Sequence, residues 1–111
     1  MQTVVETDHF LSRARKVMSD GERAELVAAI AAEPFAGVLL KGTGGLRKIR
    51  FAVGSKGKSG GVRVVYYLYS DHAPVFLLEV FAKSERANLS KADRDYLAKG
   101  AARIAATYRK G

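Results

Sequence analysis

Two runs of β-branched and aromatic residues, VRVVYYLY at 62–69 and VFLLEVFA at 75–82, are separated only by a short turn containing DHAP. So short a connection cannot carry a crossover, so the runs pair as an antiparallel hairpin and commit the middle of the chain to a sheet. Upstream, LRKIRFAV supplies a further strand by alternation. Leu46, Lys48, Arg50 and Ala52 point one way, and Arg47, Ile49, Phe51 and Val53 the other. A glycine-rich turn, GTGG, precedes this strand, and a basic glycine-rich loop, GSKGKSGG at 54–61, follows it. The three strands read as an antiparallel meander.

Helices flank the meander. Residues 3–6 read as a short strand through Val4 and Val5. Thr7 or Asp8 then caps a helix with Phe10, Leu11, Ala14, Val17 and Met18 on its apolar face. Ser19 with Glu22 three residues later is a capping box that restarts a helix carrying Leu26, Val27 and Ile30, with Pro34 just beyond its end. Two helices therefore fill roughly 8–33. Ser90 and Asp93 open a last helix whose buried stripe is Leu97, Ala101, Ile104 and Tyr108, interrupted by Gly100. A chain of 111 residues has room for one core, so residues 1–111 form a single small α+β domain: an antiparallel sheet, two N-terminal helices and a C-terminal helix.

Charge is unevenly placed. The formal net charge is +8, yet no Asp or Glu lies between Pro34 and Ser70. That stretch holds Lys41, Arg47, Lys48, Arg50, Lys56, Lys58 and Arg63, seven cations without a counter-ion. Their mutual repulsion costs stability unless an anion relieves it, which points to a polyanionic partner. The absence of cysteine excludes disulfide scaffolds, thiolate zinc sites and cysteine nucleophiles. Two histidines, His9 and His72, are too few for a histidine-rich metal site, and each reads as a surface or packing residue. No apolar run reaches a membrane span and the N-terminus lacks a signal-peptide pattern, so a cytoplasmic protein with no membrane partner is expected.

GTGGLRKIR superficially invites a phosphate-loop reading. No G-K-[ST] follows, however, and a strand rather than a helix comes next, so the glycines serve the turn. Paired carboxylates suited to glycosidase or two-metal chemistry are missing from the sheet region. The strongest chemical signal is cationic. Lys48 and Arg50 share a strand face, Arg63 lies on the next strand with Tyr67 on its own face, and Lys83 ends the third. Converging cations suit phosphodiester cleavage by an internal 2′-hydroxyl, where negative charge builds on the phosphate oxygens. The competing reading is a phosphate-binding face without catalysis. Glu79 shares a face with Lys83 on strict alternation, either as a proton-transfer group or as a structural ion partner.

The segment GTGGLRKIRFAVGSKGKSGGVRVVYYLYSDHAPVFLLEVFAKSERANLS resembles the core of RelE-superfamily toxins of bacterial toxin–antitoxin modules, specifically the HigB-type branch. The resemblance implies a ribosome-dependent endoribonuclease that cuts translated mRNA without a metal or other cofactor, leaving a cyclic phosphate and a 5′-hydroxyl. It also implies a cognate antitoxin, in the HigB branch a small helix-turn-helix DNA-binding protein. By motif, Lys48 and Arg50 match the basic pair of the first core strand, Arg63 the transition-state stabiliser, and Lys83 the lysine after the third strand. Arg47, Lys56, Lys58 and Tyr67 are the accompanying candidates for RNA contact. The chain departs from RelE at Ser84 and Ser90, where RelE has an arginine and a tyrosine; Lys83, Arg86 or Tyr96 are the available substitutes. Two rival readings remain: a ParE-like toxin that poisons DNA gyrase, and a basic nucleic-acid-binding module without activity.

Overall fold

The structure, a computed structural model, describes residues 2–56 and 60–110. Lys58, within the GSKGKSGG segment, lies outside the described residues. The elements run β1 (Val4–Glu6), α1 (Asp8–Val17), α2 (Asp20–Ala32), β2 (Val38–Leu39), β3 (Leu46–Phe51), β4 (Val62–Leu68), β5 (Val75–Ala82) and α3 (Lys91–Lys110). They form a five-stranded sheet in the order β1-β5-β4-β3-β2. The β3-β4-β5 meander is antiparallel, as expected. The whole sheet is mixed, because β1 pairs with β5 in parallel. The α1–α2 pair makes this possible by carrying the chain from one edge of the sheet to the other. Among the described residues, no helix is long and apolar enough to cross a membrane.

Each helix begins where its capping chemistry predicts. Thr7 accepts from the Phe10 amide and donates to the Leu77 carbonyl at 2.7 Å, fixing the start of α1 to β5. Ser19 and Glu22 form the reciprocal box at α2. The Ser90 hydroxyl accepts from the Asp93 amide, while the Asp93 carboxylate accepts from the Ser90 amide.

The sheet is covered on both faces. Phe10, Ala14 and Val17 of α1 and Leu26 and Ile30 of α2 pack on Val62, Val64, Tyr66, Leu77 and Val80. On the other face Leu97, Ala101 and Ala105 of α3 pack on Leu46, Val65, Tyr67, Leu78 and Phe81. Tyr108, expected in the buried stripe, is 40% exposed and lays its ring against Tyr69 and Phe76 at the sheet's margin. Strand β5 contains an irregularity: Val65 pairs with Glu79 but Tyr66 pairs with Leu77, leaving Leu78 as an extra residue. This bulge lets Leu77 and Val80, three apart, both face α1 and α2.

Tyr66 is fully buried, and its hydroxyl accepts from the Gly37 amide and donates to the Pro34 carbonyl, both at 2.8 Å. A Cβ at Gly37 would lie 2.6 Å from that hydroxyl oxygen, so only glycine lets the chain after α2 close over the ring. Tyr66→Phe should lower stability by about 1–3 kcal/mol, since a buried amide and carbonyl lose their partner. Denaturant unfolding checks this value.

Glu22 reaches beyond its own helix. Its carboxylate accepts from the Ser55 hydroxyl and the Gly54 amide as well as the Ser19 amide, which tethers the start of the basic loop to α2. The Ser55 hydroxyl, then the Ser19 and Gly54 amides, lower its pKa from 4.5 to about 2. A depressed folded-state pKa gives stabilisation that is complete above the unfolded value and fades as pH falls through the folded one. The stability difference between wild type and Glu22→Gln should therefore hold at neutral pH and shrink between pH 4.5 and about 2 in acid-unfolding curves.

Candidate functional site

Strand parity and register assemble a cationic site at the end of the sheet that carries the β3–β4 loop. Arg50 stands directly opposite Arg63, and Arg63 opposite Phe81, so the three share one row across β3, β4 and β5. Lys48 lies two residues along β3 on the same face, opposite Val65. This is the face that α3 covers elsewhere.

Arg63 is only 7% exposed. Its guanidinium donates to the carbonyls of Gly60 and Val62, at 3.1 and 3.3 Å. The loop can present those carbonyls because Gly60 and Gly61 take positive φ, and a Cβ at Gly61 would fall 2.5 Å from the Phe51 carbonyl oxygen. The Lys83 amide donates to the Gly61 carbonyl at 3.2 Å, and the Lys83 stem runs beside Gly60. The residue that holds Arg63 therefore also touches Lys83. Arg50 is exposed and lines a shallow groove of about 470 Å³ with Phe51, Gly60 and Gly61.

The segment after β5 completes the rim. Arg86 lays its guanidinium 4.5 Å from the centre of the Phe81 ring, beside the Arg50–Arg63 row. Asp93 holds Arg86 at 2.8 Å, and Glu79 lies 3.5 Å away. The Asp93 carboxyl sits below the usual carboxylate range, chiefly through its hydrogen bonds with Ser90 and also through the Arg86 charge. Asn88 accepts from the Lys48 ammonium at 3.1 Å. Neither Phe81 nor Asn88 was marked by the sequence. Phe81 reads as one core aromatic among several, and Asn88 lies in an irregular segment without periodicity.

Glu79 keeps the strand parity of Phe81 and Lys83, because the bulge at Leu78 precedes it and Glu79 and Phe81 stand opposite Val65 and Arg63. Its carboxylate is nonetheless buried and taken up by α1 and Arg86. His9 meets it at 2.9 Å, Arg13 at 3.7 Å and Arg86 at 3.5 Å, and the Val80 amide also donates to it. Glu79 is the structural ion partner of the two roles considered. Among the described residues, no ion pair joins Lys48, Arg50, Arg63 or Lys83 to a carboxylate.

The other sequence candidates lie away from this cluster. Arg47 points to the opposite face, donates to the Gly37 and Phe35 carbonyls and stacks 5.1 Å over the Phe35 ring. Tyr67 is 4% exposed in the core beneath α3. Lys56 is exposed at the start of the basic loop. Tyr96 stands near His9, with ring centres 6.4 Å apart, so of the three substitutes only Lys83 and Arg86 adjoin the cationic row.

A family model for the RelE toxin of the RelE/RelB toxin–antitoxin system matches residues 3–111. Among solved structures, the chain is similar to a double arginine-to-alanine mutant of the E. coli toxin RelE in the free state. The two share 21% identity over 78% of this chain and 87% of that chain, with a TM-score of 0.54, a likeness of fold. The whole described domain, and not only its basic hairpin, thus falls within the match, and the chain belongs to the RelE toxin family, the toxin half of a toxin–antitoxin pair.

Proposed function

We propose that this toxin is a ribosome-dependent endoribonuclease that cleaves translated mRNA and so arrests translation in the cytoplasm. The 2′-oxygen attacks the adjacent phosphorus, the bond from phosphorus to the 5′-oxygen breaks, and a cyclic phosphate and a 5′-hydroxyl result. Lys48 takes the 2′-hydroxyl proton, Arg50 holds the phosphate, and Arg63 meets the charge that develops on the non-bridging oxygens. Lys83 and Arg86 stand at the rim, where the leaving 5′-oxygen gains its proton. The exposed Lys56 contacts ribosomal RNA. The partner that silences the toxin is an antitoxin of helix-turn-helix type.

The observation that carries this reading is the Arg50–Arg63 row. Two like charges directly opposite on neighbouring strands repel, and an anion between them removes the repulsion. The site is rich in charge and poor in groups that transfer protons near neutrality. Positioning must then supply much of the rate, and in-line geometry contributes roughly 7–11 kcal/mol where it is imposed on the substrate. A translating ribosome holds its codon in fixed geometry; free RNA does not.

Arg63→Ala should retain the fold by circular dichroism and lose on the order of 10²–10³ in cleavage rate on translating ribosomes. The wild-type protein should leave the same message uncut when it is free of ribosomes. Intact message under translation together with inhibited DNA supercoiling would move the target to gyrase.

Glu79→Gln tests whether the buried carboxylate acts through Arg86. It removes the charge that Arg86, Arg13 and His9 face, so stability should fall by about 1–2 kcal/mol and ribosomal cleavage should slow. Cleavage at the wild-type rate in the folded variant would separate this network from the site.

A further inference from the structure

A second cationic groove opens beside the first. It lies between the 41–45 turn and the first turn of α3, encloses about 550 Å³, and is lined by Lys41, Gly42, Thr43, Asn88, Lys91 and Arg94. Asp95 is the only carboxylate in its lining, and Lys91 engages it at 3.2 Å, so three cations face one acid. Lys41 and Lys91 are exposed to solvent. The floor is held firmly: the Thr43 hydroxyl donates to the Leu40 carbonyl and accepts from the Leu46 amide.

Asn88 joins the two sites, lining this groove while accepting from the Lys48 ammonium. The cations are also spread out in one direction, from β3 to the chain that continues β2 beside it. Arg50 and Lys48 are two residues apart on β3, about 7 Å along a strand. The Leu40 amide bonds the Leu46 carbonyl at 2.8 Å, which places Lys41 just beyond the start of β3, about 10 Å of strand further on from Lys48. Cations spaced in this way suit a repeating anion, whereas an acidic protein segment has no fixed charge interval.

We infer that this groove is a subsite for the phosphodiester backbone of the RNA strand whose neighbouring phosphate sits at the Arg50–Arg63 row. The ligand class rests on the nuclease reading. The groove orients the strand and takes no part in bond cleavage.

The test measures binding of fluorescent, 2′-O-methylated single-stranded RNA probes, which cannot be cut, by anisotropy across a salt series. The proteins are wild type, Lys41→Ala/Lys91→Ala and Lys41→Arg/Lys91→Arg. Both lysines are exposed, and unchanged thermal unfolding confirms that each variant folds. With a long probe, the alanine variant should bind several-fold more weakly, and its salt slope should fall by about 1.4, the release expected for two phosphate contacts on a single strand. A dinucleotide probe should show no difference, and the arginine variant should match wild type. An unchanged affinity and slope for the long probe, or no binding of that probe by wild type, would overturn the inference. So would unchanged RNA binding combined with lost binding of the antitoxin, which would make the groove a protein contact. Wild type that binds RNA through this groove but leaves translated messages whole would refute the nuclease reading and leave the subsite standing.

Discussion

A buried arginine in the central strand sets the terms for the rest of this domain. Arg63 lies in β4, covered on both sides, and faces Arg50 across the hairpin. A buried guanidinium is costly unless its donors are satisfied, and a like charge directly opposite adds to the cost. The loop meets the first demand with the Gly60 and Val62 carbonyls, in a conformation that excludes a side chain at Gly61. Burial in the same strand offsets the second. Val62, Val64, Val65 and Tyr66 are fully buried, and each contributes roughly 1.5–3 kcal/mol. The core thus holds together two like charges that repel across the hairpin.

The same logic divides one face of the sheet into two territories. Leu46, Val65, Tyr67 and Leu78 take the helix α3, while Arg50, Arg63 and Lys48 remain at the other end with the Phe81 ring between them and Arg86. The nearest buried carboxylate, Glu79, is engaged by His9 and Arg13 of α1 and by Arg86, so it steadies Arg86 and makes no ion pair with the Arg50–Arg63 row.

Much of this was legible in the sequence because strand parity is strict. The alternation in LRKIRF places Leu46, Lys48 and Arg50 on one face, and the capping pairs Ser19–Glu22 and Ser90–Asp93 mark two helix starts. What was not legible depends on events that break or lie outside a period. One extra residue at Leu78 puts Leu77 and Val80, three apart, on one face, and no composition rule announces it. Tyr67 has the right parity for the site yet lies under α3, since parity fixes the face and not the position along it. Arg47 is drawn into the 35–37 segment by the Phe35 and Gly37 carbonyls of the chain that follows α2, a contact with no sequence signal. The parallel partnership of β1 depends on where the α1–α2 crossover returns the chain, and a three-residue strand says nothing of that.

Asp93 shows how closely the last helix and the site are joined. Its carboxylate accepts from the Ser90 amide, which caps α3, and the same oxygen holds Arg86 at 2.8 Å. Arg86 in turn lies over Phe81, whose other neighbours belong to the α3 core. The start of α3, the stacked guanidinium and the apolar seat of the helix therefore share one set of contacts. Replacing Asp93 by Asn would keep a capping group while removing the charge that fixes Arg86. Replacing it by Ala would remove both. The difference between the two isolates the ion pair from the cap, and it is large only if Arg86 needs a fixed charge to stay over the ring.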